Sequence, residues 1–203
     1  MNIAILTFDG FNELDSFVAL GVLGRMKGSG WHPQITCPSP KVTSMNGVTI
    51  EAQQELEYAN SADVVLFGSG IYTRDIANDG GVLGRLKLNS ETQLIGAQCS
   101  GTLLLAKLGL LGGLPACTDL TTKPWVIEAG VDVLNQPFNA NNHIATAGGC
   151  FASQYLATWV IAKQAGKAAA EAAIHYVAPV GEKDETVARC LAAVMPFIDP
   201  ASS

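Results

Sequence analysis

Residues Gln93 to Gly109 constrain this chain more tightly than any other stretch. An apolar run, Leu94 to Ala97, halts at Cys99, and a run with helical spacing (Leu103, Leu104, Ala106, Leu108) begins directly behind it. Gly96, Ser100 and Gly101 keep the surroundings of the cysteine small. The pattern predicts strand, sharp turn and helix, with the thiol lifted off the carboxyl end of a parallel strand as in a nucleophile elbow. A helix N-terminus presents unpaired N–H groups and about half a positive charge, so a cysteine placed there is expected to have a lowered pKa. The alternative is a small buried hydrophobe at a tight strand–helix join, the usual fate of a free cysteine. The flanking glycines favour the first reading, because they make room for a strained turn and for a ligand that comes close.

Bulk properties narrow the function classes. At 203 residues the chain is expected to form one domain over 1–203. The 12 Lys and Arg are scattered and the net charge is −6, so the basic footprint of a nucleic-acid binder is missing. The apolar run from Ile3 to Phe8 is too short for a signal-peptide core or a membrane span, and no later segment reaches the length needed to cross a bilayer. Neither nucleic acid nor membrane is expected as a partner. Five cysteines, Cys37, Cys99, Cys117, Cys150 and Cys190, stand far apart without a C-x-x-C pair. That suits a reducing cytoplasm, with no structural metal and no cofactor.

Along the chain, 2–8 reads as a fully buried parallel strand ending at Asp9-Gly10. Leu14, Phe17, Val18, Gly21 and Val22 keep helical spacing behind Asn12, a candidate N-cap, and Gly28-Ser29-Gly30 stops that helix. A strand over Gln34–Cys37 leads to Val42–Glu51, where Asn46-Gly47 signals a hairpin. Ala62–Phe67 is another buried strand, running into the loop Gly68-Ser69-Gly70, and a helix near Gly81–Leu88 returns the chain to the strand carrying Cys99. Beyond the elbow a short strand over Ala116–Thr118 and a helix near Lys123–Ala129 are expected. A hairpin follows, Val131–Phe138 with His143–Ala147, split by a loop over 139–142. A long helix opening at Gly148-Gly149 and running through Phe151, then helices over Ala168–Tyr176 and Glu185–Phe197, complete the chain. The alternation predicts an α/β, flavodoxin-like, doubly wound and mostly parallel sheet with helices on both faces and its ligand site at the carboxyl ends of the strands.

Candidate chemistry gathers at those ends. Asp15 rises just behind the first strand, where a partly buried acid beside a thiol has a raised pKa and can hold and deliver a proton. A capping box closed by Asn12 and Asp15 explains the same residue without chemistry. Glu13 competes for the acid role from a different helical face. Gly70 and Ser100 are candidate N–H donors of an oxyanion hole, against the simpler reading of a plain glycine loop. His32, His143 and His175 do not follow strand ends, so a Cys-His-acid triad is poorly supported. Cys117 and Cys150 read as core thiols whose position by strand ends leaves a place near the pocket open, and Lys123 either edges the site or starts a solvated helix.

Several landmarks together make the chain resemble the ThiJ/PfpI superfamily (class I glutamine amidotransferase-like) over nearly its whole length. They are Phe8-Asp9-Gly10-Phe11-Asn12-Glu13-Leu14-Asp15, the Asn46-Gly47 hairpin, Ala62 to Gly70, Ala97-Gln98-Cys99-Ser100-Gly101, Thr121-Thr122 and Thr146-Ala147-Gly148-Gly149. The resemblance implies a flavodoxin-like sandwich, usually a homodimer, with Cys99 as nucleophile and Asp15 as its acidic partner. It looks nearest the isocyanide hydratase branch, where the acid is an aspartate and no histidine serves as base. The histidine of protease and glyoxalase-like members is replaced by Ser100 and Lys123, which disfavours peptidase, glyoxalase and deglycase activity. Val18-Ala19 stands where the hydratase branch has Gly-Pro, Gly21 where it has an acid, and Tyr155 where the family has an aspartate. No helix-turn-helix pair is expected before Ser203, unlike the family's transcription factors. The activity expected from these features is attack of Cys99 on a small electrophilic molecule, with isocyanide hydration to an N-formamide the specific version. A non-catalytic redox sensor built on Cys99 is one alternative, and a glyoxalase or deglycase-like enzyme, disfavoured by the missing histidine, is another.

Overall fold

The computed structural model describes residues 1–198. Five strands form the parallel core of the main sheet: β1 (Asn2–Leu6), β2 (His32–Cys37), β6 (Val64–Phe67), β7 (Leu94–Gln98) and β9 (Ile144–Ala147). The short β5 (Gln54–Glu55) and the antiparallel β8 (Phe138–Asn141) form the two edges, giving the order β5-β2-β1-β6-β7-β9-β8. β3 (Lys41–Thr43) and β4 (Thr49–Glu51) are the Asn46-Gly47 hairpin, set apart from the main sheet.

β1 past Asn2 and β6 are apolar throughout because both of their faces are covered. Ile3 and Ile5 enter one core cluster, and Ala4 and Leu6 enter the other. Val64 and Leu66 against Val65 and Phe67 repeat the split one strand over. The first cluster lies under α1 (Glu13–Leu23), α6 (Ser153–Ala165), α7 (Lys167–Val177) and α8 (Lys183–Val194). The second lies under α4 (Gly101–Lys107) and α5 (Lys123–Glu128), with α2 (Thr73–Ile76) and α3 (Gly80–Leu83) alongside. The sheet is therefore the doubly wound α/β arrangement the alternation predicts. The chain leaves β1 for one side and returns to the other at β6, so the crevice where ligands bind in such sheets opens at the carboxyl ends near β1, β6 and β7.

Several boundaries depart from expectation. β1 ends at Leu6 rather than residue 8. The helix expected near Gly81–Leu88 shortens to the one-turn α3, capped by Asp79, whose Oδ1 accepts from the Gly81 and Val82 amides, and the one-turn α2 before it has no counterpart in the expectation. Ala116–Thr118 makes only an isolated bridge, Ala116 to Val133. Asn139, Ala140 and Asn141, expected in a loop, are strand, and the reversal falls on Asn142 at φ 51. Asparagine tolerates that conformation, which is why the Asn-rich run misleads. Phe151 lies outside the long helix, on a 3₁₀ turn, and is 69% exposed. Gly96 serves packing rather than the turn: a Cβ there would meet Leu156 Cδ1 at 2.7 Å and Leu66 Cδ2 at 3.0 Å, so its bareness lets α6 lie close on β7. Among the described residues no helix is long and apolar enough to cross a membrane.

Candidate active site

Cys99 is held in the turn between β7 and α4 with φ 53, a left-handed conformation that costs a non-glycine residue roughly 1–3 kcal/mol. Three neighbours hold it there. Its N–H donates to Ala147 O at 2.8 Å, its carbonyl accepts from Thr118 Oγ1 at 2.8 Å, and Gly101 directly after it packs against β6. A Cβ on Gly101 would fall 2.5 Å from Gly68 O and 2.8 Å from Phe67 O. The strain therefore has a geometric source: the helix starts so near the neighbouring strand that the chain must turn sharply at the cysteine.

Asp15, on the first turn of α1, is fully buried. Its Oδ2 accepts a hydrogen bond from Ser69 Oγ, Gln98 Nε2 donates to its main-chain carbonyl, and its Oδ1 is buried without a partner. The capping-box reading fails, because the Asp15 carboxyl faces Ser69 while the Asn12 N–H donates to Ser69 O. Asn12 is the N-cap as expected, its Oδ1 accepting from Leu14 N at 3.0 Å. Glu13 drops out as the competing acid. It accepts from Ser44 Oγ at 2.5 Å and from Asn46 Nδ2 at 2.8 Å, which ties the hairpin to α1 and holds its pKa below the usual value.

A carboxylate oxygen of Asp15, Cys99 Sγ and Cys150 Sγ lie within 4.8 Å of one another. The sequence leaves Cys150 between core and pocket. It stands in the pocket, with its sulfur 3.9 Å from Cys99 Sγ and 3.1 Å from Asn12 Nδ2, which donates to it. This trio is where a thiophilic cation would be held, the one such grouping of His, Cys, Asp and Glu among the described residues. Above it opens a cleft of ≈ 570 Å³ walled by Met45, Ile71, Leu120 and Trp125, with Ser69, Gly70 and Ser100 at its floor.

Electrostatics correct one expectation. Burial pushes Asp15 up from 3.8 to about 6, against the pull of Ser69 and with a further push from Asp119. Burial also pushes Cys99 upward, and the nearby carboxylates of Asp15 and Asp119 add to it. The lowered thiol pKa expected from the helix N-terminus is thus not the balance at this site, where two acids and a closed setting outweigh the seven-residue α4. At neutral pH the pair rests as thiol and carboxylate.

The oxyanion-hole expectation needs revision as well. Ser100 N–H has no hydrogen-bond partner among the described residues, as a free donor requires. Gly70 N–H is occupied, donating to Thr73 Oγ1 at 3.1 Å and Ser100 Oγ at 3.2 Å, and those two hydroxyls lie 2.7 Å apart. Gly70 therefore braces the floor, and its bareness lets the loop pass Gly10, whose carbonyl oxygen would sit 2.5 Å from a Cβ. Asp119 is the residue the sequence reading missed. Its Oδ1 accepts from the Thr121 and Thr122 amides at 2.9 Å, and its Oδ2 is buried without a partner on the cleft wall. Asp-x-Thr-Thr ahead of a helix is a capping signal that marks its place. Lys123 starts α5 and does not line the cleft, and His143 is tied through Nδ1 to Ser90 O at 2.9 Å, on another part of the surface.

A family model described as the DJ-1/PfpI family matches residues 1–163. The chain belongs to the DJ-1/PfpI family. No match was found among curated proteins. Solved structures similar to this member include Schizosaccharomyces pombe DJ-1, at 16% identity and TM-score 0.75 over 88% of this chain and 100% of that one. A ThiJ/PfpI family protein from Pseudomonas syringae aligns at 21% identity and TM-score 0.74 over 100% of this chain and 90% of that one. Drosophila melanogaster DJ-1beta aligns at 19% identity and TM-score 0.74 over 87% and 96%. At such identities the likeness is one of fold.

Proposed function

We propose that this DJ-1/PfpI protein is a cysteine-nucleophile enzyme acting on a small electrophilic molecule, with Cys99 as nucleophile and Asp15 as its proton carrier. The observation that carries the reading is the strained Cys99 sulfur within 4.8 Å of a buried carboxylate, at the floor of an open cleft. A thiol beside a carboxylate whose pKa is about 6 needs no histidine, because the carboxylate takes the proton as the sulfur attacks. The apolar walls favour an uncharged substrate.

Hydration of an isocyanide to an N-formamide is the specific version. Cys99 sulfur bonds to the terminal carbon while its proton passes through Asp15 to that same carbon, giving a thioimidate. Water then adds to this carbon, one of its protons moving through Asp15 to the nitrogen, and the carbon–sulfur bond breaks as the other proton returns to the sulfur, which restores the thiol and releases the formamide. The free Ser100 N–H next to the sulfur is the donor available to charge that develops on the substrate. The expected homodimer belongs to the proposal and is checked by sedimentation equilibrium. The central test incubates the purified protein with a panel of alkyl and aryl isocyanides and follows formamide by mass spectrometry. Turnover that disappears in Cys99→Ala supports the reading, and no product from any isocyanide rules out the specific version.

A further inference from the structure

Cys150 has no part in the reaction just described, yet its sulfur lies 3.9 Å from the Cys99 sulfur. Among the described residues the other cysteines lack such a neighbour: Cys37, Cys117 and Cys190 are buried, and burial pushes their thiols up to about 12, 11 and 11. Cys150 differs in setting too. It is half-buried, lines the cleft, and follows Gly148-Gly149, with Gly149 at φ 94 and open space where a side chain would stand. Its sulfur is already aimed, because Asn12 Nδ2 donates to it at 3.1 Å from the same residue that caps α1. Closing a sulfur–sulfur gap of 3.9 Å to the bonded length of about 2.05 Å asks for less than 2 Å of movement, within reach of side-chain rotation and a small shift at the uncrowded Gly149.

We propose that Cys99 and Cys150 form a reversible disulfide when the protein meets a hydroperoxide, with Cys150 as the resolving thiol. In the first step the Cys99 proton moves to Asp15, the sulfur bonds to one peroxide oxygen, the O–O bond breaks, and the leaving oxygen departs as alcohol or water with the proton from Asp15. The sulfur loses two electrons and becomes a sulfenic acid, and the peroxide is reduced. In the second step the Cys150 sulfur bonds to the Cys99 sulfur, the S–OH bond breaks, and the hydroxyl leaves as water with the Cys150 proton. The disulfide silences the nucleophile and shields it from sulfinic acid, until an external thiol reduces it. The first step rests on the proposed nucleophilic character of Cys99, and the second rests on Cys150 alone.

The test is intact-protein mass spectrometry of the reduced, chelator-treated full chain after titration with hydrogen peroxide. The wild type is expected to lose about 2 Da, to recover its mass on dithiothreitol, and to yield a Cys99–Cys150 cross-linked peptide, while Cys150→Ser gains about 16 to 48 Da at Cys99 under the same treatment. Oxygen accumulating on Cys99 in the wild type, with Cys150 still open to alkylation, overturns the inference, and so does an unchanged mass. A parallel iodoacetamide reaction separates the two proposals. If Cys99 alkylates but never cross-links, only the disulfide fails, whereas a Cys99 inert to both reagents removes the nucleophile as well.

Discussion

Two of the clefts formed by the described residues make a contrast, and the larger of the two has the less demanding construction. A groove of ≈ 720 Å³ between α7 and α8 is lined by Ala168, Glu171, His175, Lys183 and Asp184 among others. Glu171 also pairs with Lys167, outside the lining, at 3.5 Å, an exposed contact worth a few tenths of a kcal/mol. The cleft of ≈ 570 Å³ over Cys99 holds a left-handed cysteine, a fully buried aspartate and two buried carboxylate oxygens without partners. Burying charge and twisting backbone cost stability, so a fold retains them where they do something. The groove shows what packing helices leaves behind, and the cleft shows what packing alone does not explain.

The contrast is most exposed at turnover. Cys99→Ala is expected to reduce isocyanide hydration to background and Asp15→Asn to reduce it by about 10³-fold. His175→Ala and Lys183→Ala in the groove are expected to stay within about twofold. A groove variant that loses activity while Asp15→Asn keeps it would reverse the assignment of the two clefts. Gly101→Ala tests how tightly the elbow is built. A Cβ 2.5 Å from Gly68 O is expected to lower unfolding free energy by about 2–3 kcal/mol, read by chemical denaturation.

Asp15→Asn should move stability the other way. The folded protein holds the Asp15 proton up to about pH 6, whereas an ordinary aspartate releases it near 3.8. The folded state thus binds more protons than the unfolded state in this window, and stability falls as pH rises through it. Removing the charge is expected to raise stability at pH 7.5 by about 1–3 kcal/mol, with the gain vanishing below pH 4, as measured by melting across pH. The same titration sets the activity profile. In the proposed mechanism the carboxylate accepts the Cys99 proton, so kcat/KM is expected to fall about tenfold per pH unit below about 6 and to level off above it. A flat profile from pH 5 to 8 would remove Asp15 from the proton path. The smallest effect is expected at the groove, where breaking the Lys167–Glu171 pair changes stability by less than about 0.5 kcal/mol.

Much of this architecture was legible in the chain. The elbow, the Asn12 cap, the Asn46-Gly47 hairpin and the buried strands each follow from a local signal: spacing, a capping side chain, a turn dipeptide, an apolar run bounded by glycine. The misreadings have a common source. The 81–88 segment and the Asn139–Asn141 strand carry weak or conflicting local preferences, and the neighbours decided them. Asp15 could be named because helix and strand periodicity place it at a strand end, but a capping role looked equally good until the side chain was seen to face Ser69.

By itself the sequence determined the order of strands and helices, the turn that presents Cys99, and membership in a family of that shape, because these depend on neighbours a few residues apart. Only the tertiary structure decided that Cys150, 51 residues further on, faces the same sulfur, that Asp119 joins Asp15 in raising the thiol, and that Gly70 spends its amide on two hydroxyls. Those facts depend on the charges and hydrogen bonds that a crossover brings together and on how far water is excluded there, none of which leaves a trace in local spacing.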